Sequence, residues 1–240
     1  MEEKEFFEKM QEKGNKININ FNVEQLQKFY RYMELLIEWN EKINLTAITE
    51  PEEIITKHFI DSLTILRYIK DKERIVDVGT GAGFPGIPLK IMLENNKFVL
   101  VDSLNKRLLF LQEVIKELNL NNVEVIHSRA EDFGQNKKYR ESFDIVTSRA
   151  VANLSTLSEY LIPLTKINGK CICMKAADTE DEIKQAQNAI KVLGGKIEKI
   201  DKFVLPETDL GRTIIIINKE KITSSKYPRK AGIPSKKPIK

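Results

Sequence analysis

Cysteine, histidine and tryptophan are scarce in this 240-residue chain, with two, two and one copies respectively. Cys171 and Cys173 share one short segment, which offers no disulfide framework and fits a reducing compartment. Two histidines and two cysteines make no credible zinc-type ligand set, so no metal is expected. No run approaches the ~18 uninterrupted apolar residues of a membrane span, and no membrane partner is expected. The opening MEEKEFFEKMQEKGNK alternates acids and bases and lacks the apolar stretch and small-residue cleavage site of an export signal. The expected location is therefore the cytoplasm.

What is present is charge and enough apolar residue to fold. At 41% hydrophobic and 31% charged, the chain can bury a sizeable core in one or two domains and is not disordered. The net charge of +4 is unevenly spread. Residues 219–240 hold eight lysines and arginines against Glu220 alone, a local +7 that leaves the rest of the chain at −3.

Residues 1–18 carry little pattern, and a frayed start or loosely attached helix is expected there. Asn22 with Gln25 resembles a capping box, followed by Val23, Leu26, Phe29, Tyr30, Met33 and Ile37 on one helical face. A second helix opens near Pro51 and runs through Ile54, Ile55, His58, Phe59, Leu63 and Leu66. After Lys72 the pattern changes to short β-branched runs separated by helical stretches, the sign of βαβ units. Strands are expected at about 74–78, 97–102, 123–127, 143–147, 169–175, 196–204 and 212–218, with helices at about 86–94, 104–119, 153–164 and 179–193. The last two strands are joined without a helix and should pair antiparallel. This is the layout of an α/β, Rossmann-like class I methyltransferase: a seven-stranded, mostly parallel sheet with a terminal antiparallel hairpin, preceded by N-terminal helices. The corresponding division is a helical extension over 1–72, a cofactor-binding domain over 73–218 and a basic tail over 219–240.

The strongest local signal is the strand Arg74–Val78 running into glycines at 79, 81, 83 and 86. Glycines permit positive φ and close ligand approach, and the following helix offers unpaired N–H groups. Two registers compete. Gly81-Ala-Gly83-Phe-Pro-Gly86 matches the dinucleotide fingerprint GxGxxG, whereas Asp77-Val-Gly79-Thr-Gly81-Ala-Gly83 matches the DxGxGxG loop of S-adenosylmethionine (AdoMet) enzymes. Asp77 favours the second, because a carboxylate at the strand end suits an ammonium and repels a pyrophosphate. Pro85 also removes an N–H that a phosphate would use. Asp102, ending the next strand, is placed to accept from both ribose hydroxyls of either cofactor. Ser128-Arg129-Ala130-Glu131-Asp132 follows the third strand, where a backbone N–H and a carboxylate can read adenine. Thr147-Ser148-Arg149-Ala150 ends the fourth, and an arginine there is more often a ligand contact than a core residue.

Together with WNEKINLT (39–46), KHFIDSL (57–63), DVGTGAGFPGIPL (77–89), DSLNKRLLFL (102–111), SRAED (128–132), TSRAVANL (147–154) and YPRKAGIPSKKPI (227–239), these segments resemble the RsmG family. Its members, also called glucose-inhibited division protein B, are bacterial 16S ribosomal RNA guanine-N7 methyltransferases. The resemblance spans almost the whole chain, from about Glu34 onward. One departure is Lys175-Ala176, where the family often has glycine after the lysine. The resemblance implies AdoMet contacts at Gly79, Phe84, Ala130, Glu131 and Arg149, with Asp102 as the ribose acid; Gly81 joins them through the loop motif.

Guanine N7 carries its lone pair in the ring plane, so no general base is expected. The chain contains no Asn/Asp-Pro-Pro-aromatic motif of exocyclic-amine methyltransferases and no Pro-Cys nucleophile. Arg149 is expected to orient cofactor or guanine. Lys175 either assists the substrate or snorkels; Cys171 and Cys173 are read as packed core, and His58 and His127 as structural. The tail, with Arg229 and Lys230, is expected to bind RNA phosphates, kept extended by Pro228, Pro234 and Pro238. A solubilising tail is the alternative. Lys106 and Arg107 extend the basic track or are merely a solvated helix face. The expected partner is 16S rRNA or the small subunit, and the expected state a monomer. Competing readings are an AdoMet enzyme for another RNA, a protein or a small molecule, an NAD-dependent oxidoreductase, and a catalytically silent RNA-binding protein.

Overall fold

A computed structural model describes every residue except Ala150. Its seven strands are β1 Arg74–Val78, β2 Lys97–Asp102, β3 Val123–His127, β4 Phe143–Arg149, β5 Thr165–Ala176, β6 Gly195–Val204 and β7 Gly211–Lys219. They form one sheet in the order β3-β2-β1-β4-β5-β7-β6. β1 to β5 pair in parallel, and β7 runs antiparallel to both β5 and β6. β1 lies between β2 and β4, so the chain reverses its direction of growth across β1, and the carboxyl ends of β1 and β4 leave a crevice there.

Each sheet face buries its own core. Ile75, Leu100, Ile145, Ile172 and Ile214 point to the face covered by the N-terminal helices and by Asn105–Glu117. Val76, Val101, Val146, Cys171 and Cys173 point to the other, packed by Leu154–Leu161 and Glu180–Val192. Alternation along each strand produces the two sets, and it places both thiols in the core.

The beginning of the chain is more firmly held than its composition suggests. Glu3–Asn15 is a helix whose Phe6 and Met10 are fully buried. Phe6 packs edge-on against Tyr30 at 5.3 Å and Phe59 at 6.4 Å, rings supplied by the next two helices. Val23–Ile43 follows, with the capping box of Asn22 and Gln25 in place. The third helix starts at Pro51, widens into a π-helix over Ile54–Ile60 and closes with an α turn at Asp61–Leu63. Among the described residues no helix is long and apolar enough to cross a membrane.

The basic tail is a packed strap, not an extended arm. Lys219 is buried, with its ammonium on the Ile162 carbonyl at 2.7 Å and Glu141 at 2.9 Å. Arg140 donates to the carbonyls of Thr223 at 2.8 Å and Tyr227 at 2.6 Å. Beyond them, Pro234 lies in the first turn of a short helix, Ile233–Lys236, a position where proline's missing N–H costs nothing.

Candidate active site

A cleft of about 670 Å³ opens over the carboxyl ends of β1 to β4. Its floor is the glycine turn after β1. Gly79 adopts φ +70°, and a Cβ there would stand 2.7 Å from the Val151 side chain on the opposite wall. Gly81 turns with φ +60° and aims its N–H at Asp102 Oδ2, 2.9 Å away. Side chains at either place would strain the turn.

The two acids that flank this turn have different tasks. Asp102 is on the cleft wall, its carboxylate held by the N–H groups of Gly81 and Leu104, both at 2.9 Å, and by Arg107 at 3.4 Å. Asp77, expected beside a cofactor ammonium, instead turns into the protein. Its Oδ2 accepts from the Thr80 hydroxyl at 2.7 Å and the Gly86 N–H at 2.9 Å, and it is fully buried. The turn folds back over β1, so Asp77 braces the loop from beneath. Burial pushes its carboxyl up to about 6 against those hydrogen bonds.

Across the cleft, Ala130 and Glu131 open the helix Ala130–Gln135. Glu131 Oε1 accepts the N–H of Gly232 at 2.8 Å. Tyr160 completes this wall, and its phenol is pushed up to about 12, by burial first and then by Glu131.

Arg149 ends β4 and borders two cavities at once, the cleft and a neighbouring one of about 270 Å³. Nη1 donates to the Lys57 carbonyl at 3.1 Å and to Asp61 Oδ2 at 3.2 Å; the guanidinium lies 5.0 Å over the Phe84 ring. Asp61 Oδ1 accepts from Arg212 Nε at 3.0 Å, so one buried carboxylate bridges two arginines. His58 stacks on Phe84 at 4.3 Å, and its Nδ1 faces Arg149 Nη2 at 3.2 Å. A nitrogen facing a cationic donor must accept, which leaves the proton on Nε2 to donate to the Thr46 hydroxyl at 2.9 Å. Burial, then the Arg149 charge, pushes His58 down to about 3. The second cavity is otherwise lined largely by Ile48, Met174, Phe203 and Ile214.

Of the residues expected at the site, Gly79, Asp102, Arg107, Ala130, Glu131 and Arg149 meet on the cleft. Gly81 acts through Asp102. Phe84 is buried beneath Arg149 and does not line the cleft, because its ring is sandwiched with His58. Lys106 is exposed outside it. Lys175 faces the second cavity, tied to Glu182 at 2.6 Å and the Ala152 carbonyl at 2.7 Å. Arg229, expected on RNA, is committed inward to fully buried Glu159 through contacts of 2.6 to 3.2 Å, while Lys230 is exposed. Ala150 lies outside the described residues. Asp61, Arg212, Tyr160, Gly232 and Ser235 were not singled out from the sequence as site residues, although Asp61 lies within KHFIDSL and Gly232 and Ser235 within YPRKAGIPSKKPI. Among the described residues no group of three or more metal-ligating side chains comes together.

A glycine turn after β1, an acid ending β2 and a crevice at the reversal point of a sheet with an antiparallel β7 define the Rossmann-like methyltransferase class. A SAM dependent methyltransferase from Aquifex aeolicus shares the fold at a TM-score of 0.52 and 18% identity, over 70% of this chain and 93% of that one. Residues 25–210 match the model of the rRNA small subunit methyltransferase G family, and the chain belongs to that family. It is 51% identical over 232 residues to the ribosomal RNA small subunit methyltransferase G of Desulforamulus reducens, covering 96% of this chain and 97% of the relative. The Clostridium perfringens protein of the same name is 49% identical over 238 residues, 98% of this chain and all of the relative.

Proposed function

We propose that this chain transfers the methyl group of AdoMet to N7 of a guanine in 16S rRNA, on the small ribosomal subunit or its RNA. The observation that supports this beyond family membership is the place of Arg149 in the wall between two cavities. A cofactor over the ends of β1 to β3 and a base entering the second cavity would meet at one guanidinium. The cleft suits such a cofactor: Asp102 stands at the end of β2, and the positive-φ turn at Gly79, where a Cβ would collide with Val151, presents bare backbone to it.

Held there, AdoMet would supply an electrophilic sulfonium methyl, whose transfer would form the C–N bond to the purine as the C–S bond breaks. No proton has to leave N7 first, so the chain's task is alignment at roughly 3 Å. Asp102 accepts from the ribose hydroxyls, and the Ala130 N–H and Glu131 carboxylate read the adenine edge. The Gly79 turn holds the amino-acid end through its backbone, since Asp77 is engaged below. Arg149 orients the reacting pair, fixed by Asp61 and the Lys57 carbonyl. His58 transfers no proton in this scheme: both nitrogens are engaged and burial holds the ring neutral down to about pH 3. A monomer in the cytoplasm is part of the same proposal.

Labelled methyl transfer to small subunits or 16S rRNA from a strain lacking this activity tests the reading, with mapping of the modified atom. Label at a guanine N7 is expected. Label on another atom, on a small molecule only, or binding of NADH in place of AdoMet would refute it. Arg149→Ala should lower transfer roughly 100-fold with the fold intact, because Asp61 keeps Arg212 as a partner. Near-parental turnover would remove Arg149 from the site.

A further inference from the structure

The wall of the cleft includes two residues from near the end of the chain, Gly232 and Ser235. They face Glu131 and Tyr160, the side that the proposed function assigns to adenine. The Gly232 N–H donates to Glu131 Oε1 at 2.8 Å. The strap takes only Oε1 of this carboxylate, and the Tyr160 hydroxyl on the same wall also bears on Glu131.

The strap is anchored on both sides of this contact. Before it, the Arg229 backbone N–H and guanidinium both bond to Glu159, at 2.8 and 2.6 to 3.2 Å, and the Glu159 side chain is 0% exposed. After it, the Pro234 carbonyl accepts from the Thr156 hydroxyl at 3.1 Å. Both anchors stand on the helix Leu154–Leu161, which also carries Tyr160. Gly232 itself adopts φ +81°, with nothing within 4 Å of where a Cβ would lie. The left-handed turn thus serves no packing need there, and it aims an N–H at Glu131.

We infer that the strap segment 229–236 is a positioning element of the cofactor site: through Gly232 it fixes the Glu131 carboxylate in the orientation that meets the adenine amine, and with Ser235 it closes that end of the cleft. This rests on the reading of the cleft as an AdoMet site. It gives the tail a role separate from RNA, carried by backbone and not by charge.

Calorimetric binding of S-adenosylhomocysteine, the demethylated product, tests it. The full chain should bind. A chain cut after Pro228 keeps the contacts of Lys219, Thr223 and Tyr227, and should bind at least tenfold more weakly. Gly232→Ala in the full chain leaves every charge in place and adds a methyl into open space; it should weaken binding severalfold without lowering the melting temperature of the free protein by more than the strained turn requires. S-inosylhomocysteine, which has an oxo group in place of the amine, should lose much less affinity in both variants, so the preference for the adenosyl ligand narrows. General loosening of the fold would weaken both ligands equally. Affinity for S-adenosylhomocysteine unchanged in both variants, or equal losses for the two ligands, overturns the inference. Failure of the full chain to bind S-adenosylhomocysteine overturns the cofactor reading and the inference with it.

Discussion

Asp61→Asn is the most informative single change, because it keeps the shape of the side chain while removing its charge. In the parent, Asp61 is buried and accepts from Arg149 at 3.2 Å and Arg212 at 3.0 Å, with arginine side chains 15% and 20% exposed. The amide oxygen of asparagine can serve one guanidinium, but the amide N–H groups then face the other. Breaking a buried ion pair costs about 3–5 kcal/mol. The partial exposure of both arginines puts this case near the lower end, at about 3 kcal/mol. For a chain of this size each kcal/mol is worth about 2–4 °C, so the melting temperature should fall by roughly 6–12 °C. Thermal unfolding by circular dichroism reads that shift. Methyl transfer measured well below the new midpoint should still be reduced, since Arg149 has lost its anchor. A double-mutant cycle with Arg212→Met should show strong coupling, because both changes act on one carboxylate. A melting temperature within about 2 °C of the parent, or full activity despite the shift, would refute the view that Asp61 holds Arg149 in place.

His58 and Asp77 should tilt the pH dependence of stability in opposite directions. His58 titrates near 6.5 when unfolded and near 3 when folded, so the unfolded chain takes up the proton first, and the stability of the neutral ring, present above pH 6.5, is lost as pH falls toward 3. Urea melts of His58→Gln across that window should show a shallower slope; an identical slope would contradict the assignment. Asp77, raised from 3.8 to about 6, favours the fold while protonated, and its contribution is lost as pH rises through about 6; Asp77→Asn should flatten stability between pH 4 and 7. For RNA, replacing the exposed lysines 230, 236, 237 and 240 by glutamine should weaken binding and flatten its salt dependence, by about 0.7–0.9 in log–log slope for each phosphate no longer neutralised. A slope equal to the parent's would exclude those lysines from phosphate binding.

The sheet was readable because buried parallel strands are near-continuous β-branched runs: Ile75-Val-Asp-Val and Phe98-Val-Leu-Val-Asp announce themselves without reference to any partner. The glycine turn and Asp102 were readable for a related reason, since the turn directly follows β1 and Asp102 is the last residue of β2. The burial of Phe6 was not, because three apolar side chains on a short charged helix acquire a core only from Tyr30 and Phe59. Nor could a count of charges show that Lys219 and Arg229 are neutralised by Glu141 and Glu159, which lie far away along the chain. Asp77 was misassigned because spacing places it at the strand end without saying which way the loop folds back over it. The pairing of Arg149 and Arg212 on Asp61 joins three distant segments, and no local pattern contains it.

The position of β7 between β5 and β6 orders the birth of the fold in time. As the chain emerges from its N-terminus, β1 to β5 can assemble with the helices between them, but β6 is made before the strand it pairs with. Until Gly211–Lys219 exists, β5 and Gly195–Val204 are both open edges, with backbone donors and acceptors able to recruit a strand from another chain. One insertion pairs β5 and the inner side of β6 at once, leaving only the outer side of β6 as an edge. A nascent or truncated chain that stops short of Lys219 is therefore the form most exposed to aggregation, and a chaperone would find its binding edges at β5 and β6.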